Sequence, residues 1–312
     1  MQERTVIITG ANSGIGREAA LKFAREGYTV CMACRNRARS AAVQREIVSA
    51  TGNERVMLDE VDMSSLESIT AFCENFRERF SSLDILVHNA AYFEHGAPFR
   101  LSPDGIEITF ATNVVGPFLM TQLLRDLLRE SDDARVLHAS SNIIKHFFSP
   151  KKTIDTARLT GKTGADGCNV YHRYRDSKMA FLMLTFRMAD ELKEVGIKLY
   201  SLQINGAKMS RETLAKFTFR WKLIAAIQNF FFRPADFMAE NYFRICTSGD
   251  FRDMTGVHFN HKLEVMRPGP VNPSFRDIAG ATVYPVYADD ARIQEELRTI
   301  CMDLTTACID RP

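Results

Sequence analysis

The chain of 312 residues contains no uninterrupted apolar run of the roughly eighteen residues that a membrane-spanning helix needs, so no such helix is expected. It also lacks an excess of either charge. Lysine and arginine total 40 against 38 acidic residues, a net charge of +2, and the basic residues are scattered, which removes the electrostatic basis for a nucleic-acid partner. Seven cysteines, an odd number without a regular framework, suit reduced thiols in the cytosol and not a disulfide scaffold. Cys31 and Cys34 form a C-x-x-C within an apolar run, where a strand would point them to opposite faces, so no metal site is expected. The polar start, Met1 to Thr5, passes directly into a strand and leaves no room for a signal peptide, and a cytoplasmic location is expected. No repeat, low-complexity tract or linker divides the chain. With 46% hydrophobic and 25% charged residues, 1–312 reads as a single globular domain.

What is present is an alternation of strand and helix signals. Strands are expected at Val6–Ile8, Tyr28–Ala33, Val56–Val61, Ile85–His88, Arg135–Ala139, Lys198–Gln203 and Thr255–Phe259. Helices are expected at Gly14–Glu26, Arg37–Ala50, Ser64–Phe80 (opened by a Ser64-x-x-Glu67 capping box), Pro103–Arg129, Val170–Val195 and Asp289–Thr306, with Val265–Pro285 an irregular loop. Strands joined by crossover helices pair in parallel with right-handed connections. The expected fold is therefore an α/β doubly wound parallel sheet of Rossmann type, in one domain.

The turn Thr9-Gly10-Ala11-Asn12-Ser13-Gly14-Ile15-Gly16 lies where the first strand feeds the first helix, a place where backbone N–H groups and the helix dipole can hold a pyrophosphate. Gly10 permits the turn, Gly14 and Gly16 allow close approach, and Asn12, Ser13 and Ile15 complete the loop. At the end of strand two, where a carboxylate would select NAD(H), the chain reads Cys34-Arg35-Asn36-Arg37 with Arg39 nearby. A guanidinium fork suits a 2′-phosphate, and Arg17 is within reach of the same place, so NADP(H) is favoured over NAD(H). Further on, Tyr174 and Lys178 stand four positions apart on one expected helix face, so a phenol and an ammonium can act on one proton. Tyr171 is a poorer candidate because its i+4 partner is Arg175, which stays protonated.

Together these pieces resemble the short-chain dehydrogenases/reductases over nearly the whole chain, most strongly from Thr5 to about Ile204. The resemblance rests on the glycine turn, Val61-Asp62-Met63, His88-Asn89-Ala90-Ala91, Asn113, Ser140-Ser141 and Tyr174-Arg-Asp-Ser-Lys178. Within that family, Ala33-Cys34-Arg35-Asn36 and Asp104-Gly105 onward look like the retinol dehydrogenase branch and the WW-domain-containing oxidoreductase, though no WW domain is present. The resemblance implies that Tyr174 is the proton donor, its pKa lowered by the Lys178 cation, and that Lys178 also binds the nicotinamide ribose. It further implies that Ser141 (with Ser140 as rival) bonds the substrate oxygen, and that Asn113 holds a water linking Lys178 to solvent. Asn89 would floor the cofactor site. Asp62 is read either as an adenine contact or as an acid favoured at a helix start. Two departures stand out: Asn205-Gly206 replaces Pro-Gly after strand six, and Ala91 replaces a glycine.

Substrate preference falls to the variable segments 143–168 and 210–237, and substrate loops are placed at about 207–240, with a C-terminal extension at about 262–312. Residues 214–233 mix phenylalanines, Trp221 and cations, which suits a lipophilic ligand, peripheral contact with a membrane surface or a core-packed helix. The expectation is an NADP(H)-dependent oxidoreductase interconverting a carbonyl and an alcohol on a lipophilic small molecule of retinoid, steroid, prenol or fatty-aldehyde class, as a homodimer or tetramer. A cofactor-binding regulatory protein without turnover is the alternative on the same fold.

Overall fold

In a computed structural model, described here for residues 4–165, 167, 169–205 and 233–310, strands β1 (Thr5–Thr9), β2 (Thr29–Cys34), β3 (Val56–Glu60), β4 (Ile85–His88), β5 (Arg135–Ser141), β6 (Lys198–Ile204) and β7 (Val257–Phe259) form one sheet. Its order is β3-β2-β1-β4-β5-β6-β7, with every pairing parallel. Helices cover both faces, which is why β1 and β2 are buried at every position and read as continuous apolar runs. On one side Ile7, Cys31, Leu86 and Val136 meet helices α3 (Leu66–Arg79) and α5 (Val170–Lys193). On the other, Ile8, Met32, Cys34 and Val87 meet α1 (Gly14–Arg25) and α6 (Ala235–Thr247). Cys31 and Cys34 thus point to opposite faces, and the described residues hold no cluster able to ligate a metal. None of the described helices is long and apolar enough to cross a membrane.

Three local expectations are corrected. Helix α3 is capped by Ser65, whose hydroxyl accepts from Ser68 N at 3.3 Å, and not by a box on Ser64. Ser64 turns back instead, giving both its N–H (2.9 Å) and its hydroxyl proton (2.7 Å) to Asp62, a stronger acceptor two residues away. The stretch 103–129 is not one helix. Ile108–Phe110 is a single turn, Ala111–Val115 is a π-turn, α4 spans Gly116–Leu123, and a short turn follows at Arg125–Arg129. Pro117 cannot donate to the Asn113 carbonyl four residues back, and Gly116 N–H instead reaches Ala111, five back. The tail 265–285 is also ordered. β8 (Arg267–Pro268) pairs in parallel with β9 (Val283–Tyr284), and α7 (Phe275–Gly280) opens on a Ser274/Asp277 capping box. The last helix, α8 (Ala291–Ile309), buries Leu297 and Cys301 and is tied to α5 through Arg187–Glu295 at 2.5 Å. The aromatic segment of the substrate loop lies almost wholly at 206–232, outside the described residues.

Candidate active site

The strand order reverses between β1 and β4, and the carboxyl ends of those strands border the crevice where ligands settle in such sheets. Thr9 ties that edge together. Its hydroxyl donates to Val87 O (3.3 Å) and accepts from the N–H groups of Asn89 and Ala90 (3.0 Å each). The Asn89 amide then donates to Thr9 O (3.0 Å) and Gly10 O (3.4 Å), so its nitrogen holds the glycine turn instead of facing outward. Gly10 has φ +68°, the left-handed region that disfavours a side chain. At Gly16 the constraint is space: a Cβ there would lie 2.4 Å from Gly10 O and 2.5 Å from Asn89 Nδ2. Gly16→Ala is expected to push turn and helix apart, weakening dinucleotide binding at least tenfold and lowering the melting temperature. Titration of cofactor fluorescence and a thermal melt check both.

The turn fits a phosphate for a further reason. Ser13, the N-cap of α1, is extended and makes no side-chain cap bond, and the first helical turn carries no acid, so neither the cap side chain nor the first turn itself offsets the helix's positive end. Arg35, Arg37 and Arg39 are exposed past the end of β2, and the intervening Asn36 caps α2 (Arg37–Thr51) by accepting from Arg39 N at 2.9 Å. Arg17 does not join them: Glu18 (2.5 Å) and Glu46 (3.1 Å) hold its guanidinium along the α1–α2 groove. Asp62 commits one carboxylate oxygen to the N–H and hydroxyl of Ser64.

Across the crevice, β5 and α5 bring Ser141, Tyr174 and Lys178 together. The half-buried Tyr174 phenol is held above its usual pKa by burial, and a hydrogen bond with the Ser141 hydroxyl pulls the other way. The Lys178 Nζ stands 5.8 Å from the Tyr174 ring centre. Lys178 is itself buried, donates to Ala139 O at 2.8 Å, and is pushed down to about 8 by desolvation. Ser141 Oγ accepts from Ile143 N at 3.3 Å. Ser140 is buried, and its hydroxyl finds no partner among the described residues. Asn113, buried in the π-turn, accepts from Tyr92 N (2.6 Å) and donates to Tyr92 O (3.2 Å) and Ser177 Oγ (3.0 Å), and Ser177 donates to Tyr174 O (2.8 Å). Asn113 thus joins the loop after β4 to the helix that carries Tyr174. From that loop, the half-exposed Phe93 ring lies 4.8 Å from the Tyr174 ring.

A family model described as short chain dehydrogenase matches residues 4–149. Retinol dehydrogenase 12 of Mus musculus is 32% identical over 259 residues, covering 82% of this chain and 77% of that protein. The chain is a short-chain dehydrogenase. Its similarity extends to the WW domain-containing oxidoreductase of Gallus gallus, 44% identical over 138 residues, or 44% of this chain and 33% of that one. These relatives place the short-chain dehydrogenase in the retinol dehydrogenase branch. A solved short chain dehydrogenase from Shigella flexneri complexed with NADP has the same fold, with a TM-score of 0.63 at 22% identity over 84% of this chain and 98% of that one.

Sequence reading missed three groups at the cleft of this short-chain dehydrogenase. They are Thr9 as the β1–β4 tie, Phe93 against Tyr174, and Tyr242, whose phenol donates to Asn89 Oδ1 at 3.2 Å. Thr9 stood in the quoted turn and was legible as a hydroxyl at a strand end. Tyr242 left no local trace, since its partner is 153 residues away.

Proposed function

We propose that this oxidoreductase uses NADP(H) to interconvert a carbonyl and an alcohol on a lipophilic small molecule. The observation that carries the reading is the grouping of Ser141, Tyr174 and Lys178 against one sheet whose glycine turn leaves no space for a side chain at Gly16. A bound nicotinamide supplies or accepts the hydride. The chain's own part is the proton. In reduction, Tyr174 gives its phenolic proton to the substrate oxygen, and a raised pKa keeps that proton in place at neutral pH. Ser141, whose oxygen already accepts from Ile143, directs its hydrogen to the same substrate oxygen as charge develops there. Lys178 commits one donor to Ala139 O, and an ammonium carries two more that can serve ribose hydroxyls. Asn113 keeps the loop after β4 and the helix of Tyr174 in register, and Asn12, Ser13 and Ile15 line the phosphate turn.

Support for a lipophilic substrate comes from the retinol dehydrogenase relatives and from the half-exposed Phe93 beside the phenol. Oxidation of NADPH in the presence of a panel of lipophilic aldehydes and ketones tests the reading, and a wild type that binds NADPH yet turns over none of them overturns it. The preference for NADP(H) rests on Arg35. Arg35→Ser is expected to weaken NADPH about tenfold, the lower end for a charge-assisted contact at an exposed site, and to leave NADH within about twofold. Equal losses for both cofactors would remove Arg35 from the 2′-phosphate site.

A further inference from the structure

Helix α6 sends two consecutive side chains to opposite rims of the crevice. Tyr242 is fully buried and Asn241 nearly so. Tyr242 donates to Asn89 Oδ1 at 3.2 Å. Direction matters here: Asn89 faces the Thr9 and Gly10 carbonyls, which only accept, so its nitrogen must point at the turn and its oxygen away. A phenol that burial keeps protonated, donating to that oxygen, fixes this orientation, and with the amide reversed Asn89 would set oxygen against oxygen beneath Gly10.

Asn241 serves the other rim. Its amide donates to His261 O at 2.8 Å, and the His261 ring accepts through Nδ1 from Asn205 Nδ2 at 2.8 Å. Asn205 Oδ1 is taken by Gln203 Nε2 at 2.9 Å, which leaves the amide nitrogen to face the ring and assigns His261 as the neutral tautomer with its proton on Nε2. Burial holds His261 below its usual pKa, with Lys262, Arg233 and Lys145 acting in the same direction and Glu264 against. Asn205 follows β6 directly, and β6 runs beside β5 with Ile204 opposite Ser141. This is the position where the family resemblance leads one to expect a proline; here a hydrogen-bonded chain restrains the backbone in its place.

We propose that Tyr242 and Asn241 are positioning residues for the dinucleotide, one setting the pyrophosphate turn through Asn89 and the other setting the nicotinamide rim through His261 and Asn205. The proposal rests on the cleft being a dinucleotide site. Two ligands separate the arms: NADPH, and 2′-phospho-ADP-ribose, which keeps the pyrophosphate and lacks the nicotinamide. Tyr242→Phe, which preserves the ring, is expected to weaken both by the same factor, about threefold to tenfold for one neutral hydrogen bond, and to add nothing in an Asn89→Ala background. Asn241→Ala is expected to weaken NADPH by a similar factor and the fragment by less than about twofold. Asn205→Ala cuts the second arm from its other end and must reproduce that split even if Asn241→Ala folds poorly.

Calorimetric titration reads all of these without turnover. Variants that bind both ligands as the wild type does, or Asn241→Ala and Asn205→Ala weakening the fragment as much as NADPH, overturn the proposal. A wild type that binds neither ligand nor NADH overturns the dinucleotide reading itself, and the two failures are distinct.

Discussion

Tyr174→Phe is expected to lower carbonyl reduction about 10³-fold while leaving NADPH affinity within about twofold, as for loss of a positioned general acid. The phenylalanine ring keeps the packing against Phe93 and removes only the oxygen that meets Ser141. Lys178 is turned to Ala139 O, and Tyr171 is exposed and engaged with His146 at 2.7 Å. Stopped-flow measurement of NADPH consumption, alongside equilibrium titration, separates the two quantities. Activity retained within tenfold would transfer the proton to another group and sink the assignment. Ser141→Ala should fall less far, since it stabilises the oxygen without supplying the proton.

The second large effect is on stability. Steep loss of folding free energy is expected between about pH 6.5 and 4, because His88, His138 and His258 are each about 1% exposed and held neutral by desolvation. Each ring has one nitrogen against a hydroxyl: Thr121 at 2.8 Å, Thr185 at 2.8 Å and Ser201 at 3.0 Å. The other nitrogens find no partner among the described residues. For His88 and His258 the folded pKa is about 3, and His138 lies well below its usual value, with His88 and Lys178 adding to burial. The unfolded chain takes up these protons near pH 6.5 and the folded chain does not. Stability is therefore full above about 6.5 and lost as pH falls, at about 1.4 kcal/mol per pH unit for each ring. Three rings together approach about 4 kcal/mol per unit, against a typical total of about 5–15 kcal/mol. Urea unfolding at half-unit pH steps measures the slope. His258→Gln should remove about a third of it, and a flat midpoint from pH 7 to 5 would refute the account.

Much of this molecule is legible in its sequence. The parallel sheet follows from apolar runs spaced by helical periods, and Tyr174, Lys178 and the glycine turn followed from short local spacings that topology then carried to one crevice. What escaped had physical reasons. The division of 103–129 depends on Pro117 withdrawing a donor and on Gly116 packing against Met63, which helical periodicity does not register. Arg17 was assigned by proximity in sequence to the turn, yet Glu46 on the neighbouring helix claims it. The rise of the Tyr174 pKa depends on desolvation, which no spacing rule supplies. The short strands and helix of the tail were hidden by prolines and glycines that usually mark loops.

The bond from Tyr242 to Asn89 also has a consequence for biosynthesis. Its partners are 153 residues apart, so a chain emerging from the ribosome can complete β1, the turn and β4 long before the residue that sets the Asn89 amide has been made. Affinity for the nucleotide should therefore mature late in translation, and ligand present in the cell would act on the finished fold, drawing it away from unfolding, and not on the nascent half.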